Sequence, residues 1–147
     1  MKLRFESNLD YQRHAWEAVA DLFRGQETCR TEFTVSHSSS AGSNIPGMES
    51  GLGIGNRLKL LDDEILANLQ DVQLRNGLPH TDAIASGDFT VEMETGTGKT
   101  YVYLRTIFEL NKRYGFTKFV IVVPSVAIKE GVYKTLQITE DHFRSLY

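Results

Sequence analysis

Met93-Glu94-Thr95-Gly96-Thr97-Gly98-Lys99-Thr100 is the stretch on which the reading of this chain turns. Its second half ends in glycine, lysine and threonine, as a phosphate-binding loop does. Met93 stands where the pattern G-x-x-x-x-G-K-[ST] has its first glycine. Gly96 and Gly98 lack the Cβ that would keep backbone N–H groups from converging on an anion. Residues Thr95, Gly96, Thr97 and Gly98 are therefore expected to cradle the phosphates of ATP. Lys99 is expected to reach the β- and γ-phosphates, and the Thr100 hydroxyl to ligate Mg²⁺.

Both flanks suit that loop. Upstream, Phe89 to Met93 alternates apolar and polar residues and predicts a strand. Downstream, Leu104, Ile107, Phe108 and Leu110 fall on a helical stripe, and Gly115 suits the helix C-cap. A helix starting at the loop adds free N–H groups and its dipole to an anion site. Further on, Lys118-Phe119-Val120-Ile121-Val122-Val123 is the continuous run of a strand buried on both faces of a parallel sheet. The two strands and the helix between them predict a right-handed βαβ unit. Pro124 ends the second strand, and Ser125 can cap a helix carrying Ile128, Val132 and Leu136. Ser125 and Lys129 at that helix start read either as a routine cap or as a phosphate site for a nucleic-acid backbone. The run from Ile138 to Phe143 is expected at or inside another helix.

Earlier in the chain, Met1 to Ser7 reads as a short strand or an extended lead-in. Asn8 or Asp10 can cap a helix whose apolar stripe is Trp16, Val19, Leu22 and Phe23, with Gly25 after its last turn. On its first turn Gln12 can donate and accept at once, which matches the N6 and N7 edge of adenine. An exposed glutamine is otherwise a solvated surface residue. Residues 26–56 shift to Ser, Gly, Thr and Asn; Thr31 to Val35 could form a short strand, and loops of such length are functional or mobile. Leu58 to Glu64 mimics an apolar strand running into metal-binding carboxylates. Ile65, Leu66, Leu69 and Val72 continue at helical spacing, so Asp62, Asp63 and Glu64 fit better as an acidic first helical turn. Asn76-Gly77-Leu78-Pro79 closes that helix with turn chemistry.

Composition narrows the class. The 147 residues are 41% hydrophobic and 24% charged, which suits one folded domain rather than a disordered chain. A net charge of −3 leaves any nucleic-acid contact to a local patch. Cys29 is the sole cysteine, which excludes an internal disulfide and suits a reducing cytoplasm. The sequence carries neither a signal-peptide pattern nor a run long enough to span a bilayer, so no membrane role is expected. The four histidines follow no metal-ligand spacing.

The order Tyr11-Gln12, Met93 to Thr100, then Val122-Val123-Pro124-Ser125 resembles the opening of a superfamily 2 helicase motor domain. More narrowly, Leu52 to Arg57, Asn76 to Pro79, Phe89 to Val102, Tyr114 to Phe119 and Val123 to Ile128 are similar to the restriction subunit of type III restriction enzymes. The resemblance implies an α/β, RecA-like P-loop domain with a mainly parallel sheet between helices, here incomplete. Its parts would be an adenine-contacting helix region (1–25), a Gly/Ser-rich insertion and helix (26–87) and the P-loop βαβ unit (88–147). It implies Gln12 on adenine, Thr95 to Thr100 on ATP and Mg²⁺, and Ser125 and Lys129 on the backbone of double-stranded DNA. It further implies a DNA-dependent motor in the cytoplasm, joined to a methyltransferase modification subunit, with a nuclease domain downstream. No apolar strand running into Asp-Glu follows the loop. The expectation is thus an N-terminal fragment that does not hydrolyse ATP alone. The rival readings are a P-loop kinase or ATPase unrelated to DNA, and a non-enzymatic remnant.

Overall fold

The computed structural model describes residues 9–28 and 56–147. In them lie α1 (Asp10–Asp21), α2 (Asp62–Arg75), α3 (Lys99–Tyr114) and α4 (Val126–Leu146). α3 is the central element, packed on α1 along one side and on α4 along another, while α2 packs on α1.

The helices start and stop for local reasons. Gly98 precedes α3 with φ 84° and Gly115 follows it with φ 70°, both left-handed conformations that disfavour a Cβ. The Gly115 N–H donates to the Asn111 carbonyl at 2.8 Å, taking up one of the helix's last free acceptors. α2 opens on Asp62, Asp63 and Glu64, and the Glu64 carboxylate accepts from the Leu61 N–H at 2.9 Å. The acidic run is thus an N-terminal helical turn, as its spacing predicts. Ser125 caps α4, its hydroxyl accepting from the Ile128 N–H at 3.3 Å. α4 continues unbroken for 21 residues, so Ile138 to Phe143 belongs to its later turns and not to a separate helix. At α1 the N-cap is Leu9, without a side-chain cap bond, and Asp10 is already helical.

Two apolar clusters flank α3. Ala20, Leu110, Tyr114 and Phe116 join α1 to the end of α3, with Phe23 and Phe119 against them. Tyr101, Leu104 and Phe143 join the start of α3 to α4. Burying a side chain such as Leu104 contributes about 2 kcal/mol. Polar ties fix the helix ends. The Tyr114 hydroxyl donates to the Ala20 carbonyl at 2.9 Å, and Asp21 pairs with Arg75 of α2 and Arg113 of α3 at 2.8 and 3.5 Å. Buried Asn68 donates to the Leu22 and Arg24 carbonyls at 3.1 and 2.8 Å, which docks α2 on the end of α1.

The expected sheet is absent among the described residues. Among the described residues the structure is helical, and neither Phe89–Met93 nor Lys118–Val123 is a strand. The α/β reading with a mainly parallel sheet is therefore corrected, for the described residues, to an arrangement of four helices joined by irregular connections. The physical reason is pairing. An apolar, β-branched run becomes a strand only when neighbouring backbones accept and donate along it. No backbone hydrogen bond among the described residues joins these two segments to each other. Val120 and Val122, read as buried on both faces, are 89% and 87% exposed. Asn56 supplies the nearest substitute, its side chain accepting from the Thr117 and Lys118 N–H groups at 2.8 and 3.1 Å. The lead-in at Met1–Ser7, the Asn8 cap, the strand at Thr31–Val35, Cys29 and most of the 26–56 insertion lie outside the described residues.

Candidate functional site

The phosphate-type loop is built between α1 and α3. Gly96 and Gly98 take φ of 82° and 84°, so the chain turns twice through the left-handed region on its way into α3. No backbone carbonyl among the described residues takes up the N–H groups of Gly96 to Thr100. Those of Lys99 and Thr100 belong to the first turn of α3, where no intrahelical partner exists. A row of free N–H groups at the positive end of a helix is a donor set for a polyanion.

Two side chains complete the loop. The Lys99 ammonium donates to the Met93 and Glu94 carbonyls at 2.7 and 2.8 Å and so spans the loop. The Thr97 hydroxyl donates to the Glu94 carbonyl at 2.7 Å, tightening the same turn. From α1, buried Gln12 donates through Nε2 to the Thr97 carbonyl at 2.9 Å. A Cβ placed on Gly98 would lie 2.7 Å from that Nε2, so Gly98 serves the close approach of Gln12 as well as the turn. Gln12 is 9% exposed, which sets aside the solvated-surface reading.

The structure thus gathers Gln12, Thr97, Gly98 and Lys99 around one turn, with Thr95, Gly96 and Thr100 in the same loop. Ser125 and Lys129 share the first turn of α4, where the Lys129 N–H donates to the Ser125 carbonyl at 3.1 Å. No hydrogen bond among the described residues joins them to the loop. The Ser125 hydroxyl is engaged as a cap, leaving the Lys129 ammonium as the cationic group there, with the Glu130 carboxylate next to it in sequence. Asp62, Asp63 and Glu64 stay with α2, and the described residues hold no cluster of three metal-ligating side chains. No helix among the described residues is long and apolar enough to cross a membrane.

One neighbour escaped the sequence reading. The loop forms a wall of a cleft of about 1250 Å³ between α1, α2 and the connection ahead of α3, and Tyr11 and His14 also line it. The available signal was an aromatic residue directly before Gln12. A helical periodicity reading has no means of telling which exposed face overlooks a cleft.

A family model described as type III restriction enzyme, res subunit, matches residues 7–145. The chain is 37% identical over 149 residues to the type III restriction-modification enzyme EcoPI Res subunit of Escherichia phage P1, which covers 97% of this chain and 14% of that protein. It is 35% identical over 147 residues to the EcoP15I Res subunit of Escherichia coli, again across 97% of this chain and 14% of the relative. The StyLTI Res subunit of Salmonella typhimurium is 54% identical over 59 residues, 39% of this chain and 6% of that protein. The chain therefore spans a small part of the length of the relatives it matches.

Proposed function

The chain belongs to the res-subunit family of type III restriction enzymes, and from that premise we propose that it binds ATP for a DNA-dependent ATPase and translocase of a restriction system. The observation that carries this reading is the loop: free N–H groups from Gly96 to Thr100, two left-handed glycines, and a lysine whose ammonium spans the turn.

In this reading the ATP phosphates lie against the N–H groups, and Lys99 leaves the Met93 and Glu94 carbonyls to meet the β- and γ-phosphates. Pairing with an anionic phosphate replaces two contacts of the ammonium to uncharged carbonyls, which favours the exchange. Thr100 offers its hydroxyl to Mg²⁺, which when bound draws negative charge from the β- and γ-phosphate oxygens. Gln12 keeps one N–H and its Oε1 for the adenine edge while its other N–H holds Thr97. Lys129 and the capped start of α4 offer a backbone contact for double-stranded DNA. A methyltransferase modification subunit is the expected protein partner, and the cytoplasm the expected place of action.

The experiment is a titration of the protein with a fluorescent ATP analogue, with and without Mg²⁺, beside Lys99→Ala. Wild type should bind, and bind more tightly with Mg²⁺. The variant should lose at least tenfold in affinity, of the order expected for a charge-assisted contact, at an unchanged melting temperature. Equal affinity in the two proteins would end the reading.

A further inference from the structure

The phosphate loop is held on one side by Gln12 of α1. On its other side the first turn of α3 must also be fixed, because its N–H groups have no partner one turn earlier. Lys99 is exposed and Thr100 half-buried; Tyr101, the next residue, is the first buried side chain of the helix. Its hydroxyl lies 2.9 Å from Nε2 of His142 on α4. Its ring stacks on Phe143 with centroids 5.4 Å apart and planes 15° from parallel. Arg105, one turn along α3, donates to the same hydroxyl at 3.2 Å.

Arginine has no acceptor, so the Tyr101 oxygen accepts from Arg105, and a single proton joins that oxygen to His142 Nε2, carried by one or the other according to the imidazole tautomer. Burial, with Arg105 nearby, holds the imidazole below its ordinary range, which favours the neutral ring.

We infer that Tyr101 and His142 are positioning residues for Thr100: the Tyr101–His142 hydrogen bond sets the first turn of α3, and with it the hydroxyl that Mg²⁺ would take. This rests on the nucleotide reading above. The consequence is selective. Mg²⁺ demands near-ideal octahedral geometry at short ligand distances, whereas N–H contacts to phosphate tolerate small displacements. A loosened first turn should therefore cost the Mg²⁺-dependent part of nucleotide affinity more than the Mg²⁺-independent part.

The test measures affinity for the fluorescent ATP analogue with and without Mg²⁺ in Tyr101→Phe, His142→Ala and the double variant. Tyr101→Phe keeps the ring on Phe143 and loses only the hydroxyl. The expected result is a Mg²⁺-dependent gain reduced at least threefold in each single variant and no further in the double. Affinity without Mg²⁺ should stay within twofold of wild type. Unchanged Mg²⁺ dependence in both single variants, or losses that add in the double, would overturn the inference. Lys99→Ala separates the two failures. Unchanged binding there removes the nucleotide reading and this inference with it; lost binding there, with unaltered Mg²⁺ dependence in the others, overturns the positioning role alone.

Discussion

Gln12 has two amide hydrogens and one oxygen, and the fold engages one hydrogen on the Thr97 carbonyl. The residue is thus a strut for the loop, and in the proposed function it is also the reader of the adenine edge. Removing it should act on two levels. Loss of the strut weakens every nucleotide, whereas loss of the paired donor and acceptor weakens adenine alone, because guanine presents O6 and N7 as acceptors on the equivalent edge. Gln12→Ala should therefore weaken ATP more than GTP, by roughly 1–3 kcal/mol on the scale of a bidentate base contact. Competition of the two nucleotides against one fluorescent probe measures this. Equal losses would leave Gln12 as a strut only.

At the scale of elements, the α3–α4 contact carries a pH dependence whose sign follows from His142. Its imidazole faces the Tyr101 hydroxyl, the Arg105 guanidinium and the Phe143 ring, and burial first and Arg105 second lower its pKa from 6.5. Between that lowered value and 6.5 the unfolded chain binds a proton that the folded chain resists. The stability contributed is complete above 6.5 and is lost as pH falls through the native pKa. Melting temperature should drop as pH is lowered from 7.5 toward 5.5, and less steeply in His142→Gln; equal slopes would contradict it. The helices themselves were legible from sequence. α1, α2, α3 and the start of α4 follow from apolar spacing, the acidic turn at Asp62, the glycines at 98 and 115, and the Ser125 cap, all local features. The strands were not, because Val120 to Val123 has the composition of a buried strand but pairing is a property of neighbours. The Tyr101–His142 contact was equally out of reach, since 41 positions separate its partners and no motif links the two.

At the scale of the whole molecule, α1 and α3 form one platform. Trp16 of α1 lies under the guanidinium groups of Arg105 and Arg113 of α3, 4.8 and 5.3 Å from its ring. Tyr114 clamps one end of the pair and Gln12 the other. The loop from Thr95 to Lys99 sits at the Gln12 end, so its N–H groups are presented by a braced pair of helices, and under the proposed function that preorganisation lowers the cost of binding an anion. The sequence motif located this loop, and the packing shows why it holds its shape. The proposed ATP binding depends on those N–H groups, and amide-resolved NMR of the ¹⁵N-labelled protein during titration with ATP and Mg²⁺ observes them directly. The signals of Gly96 to Thr100 should move most, with smaller changes at Gln12, and Lys99→Ala should suppress the response. Loop signals that stay in place at saturating ATP, or shifts centred on Ser125 and Lys129 instead, would contradict it.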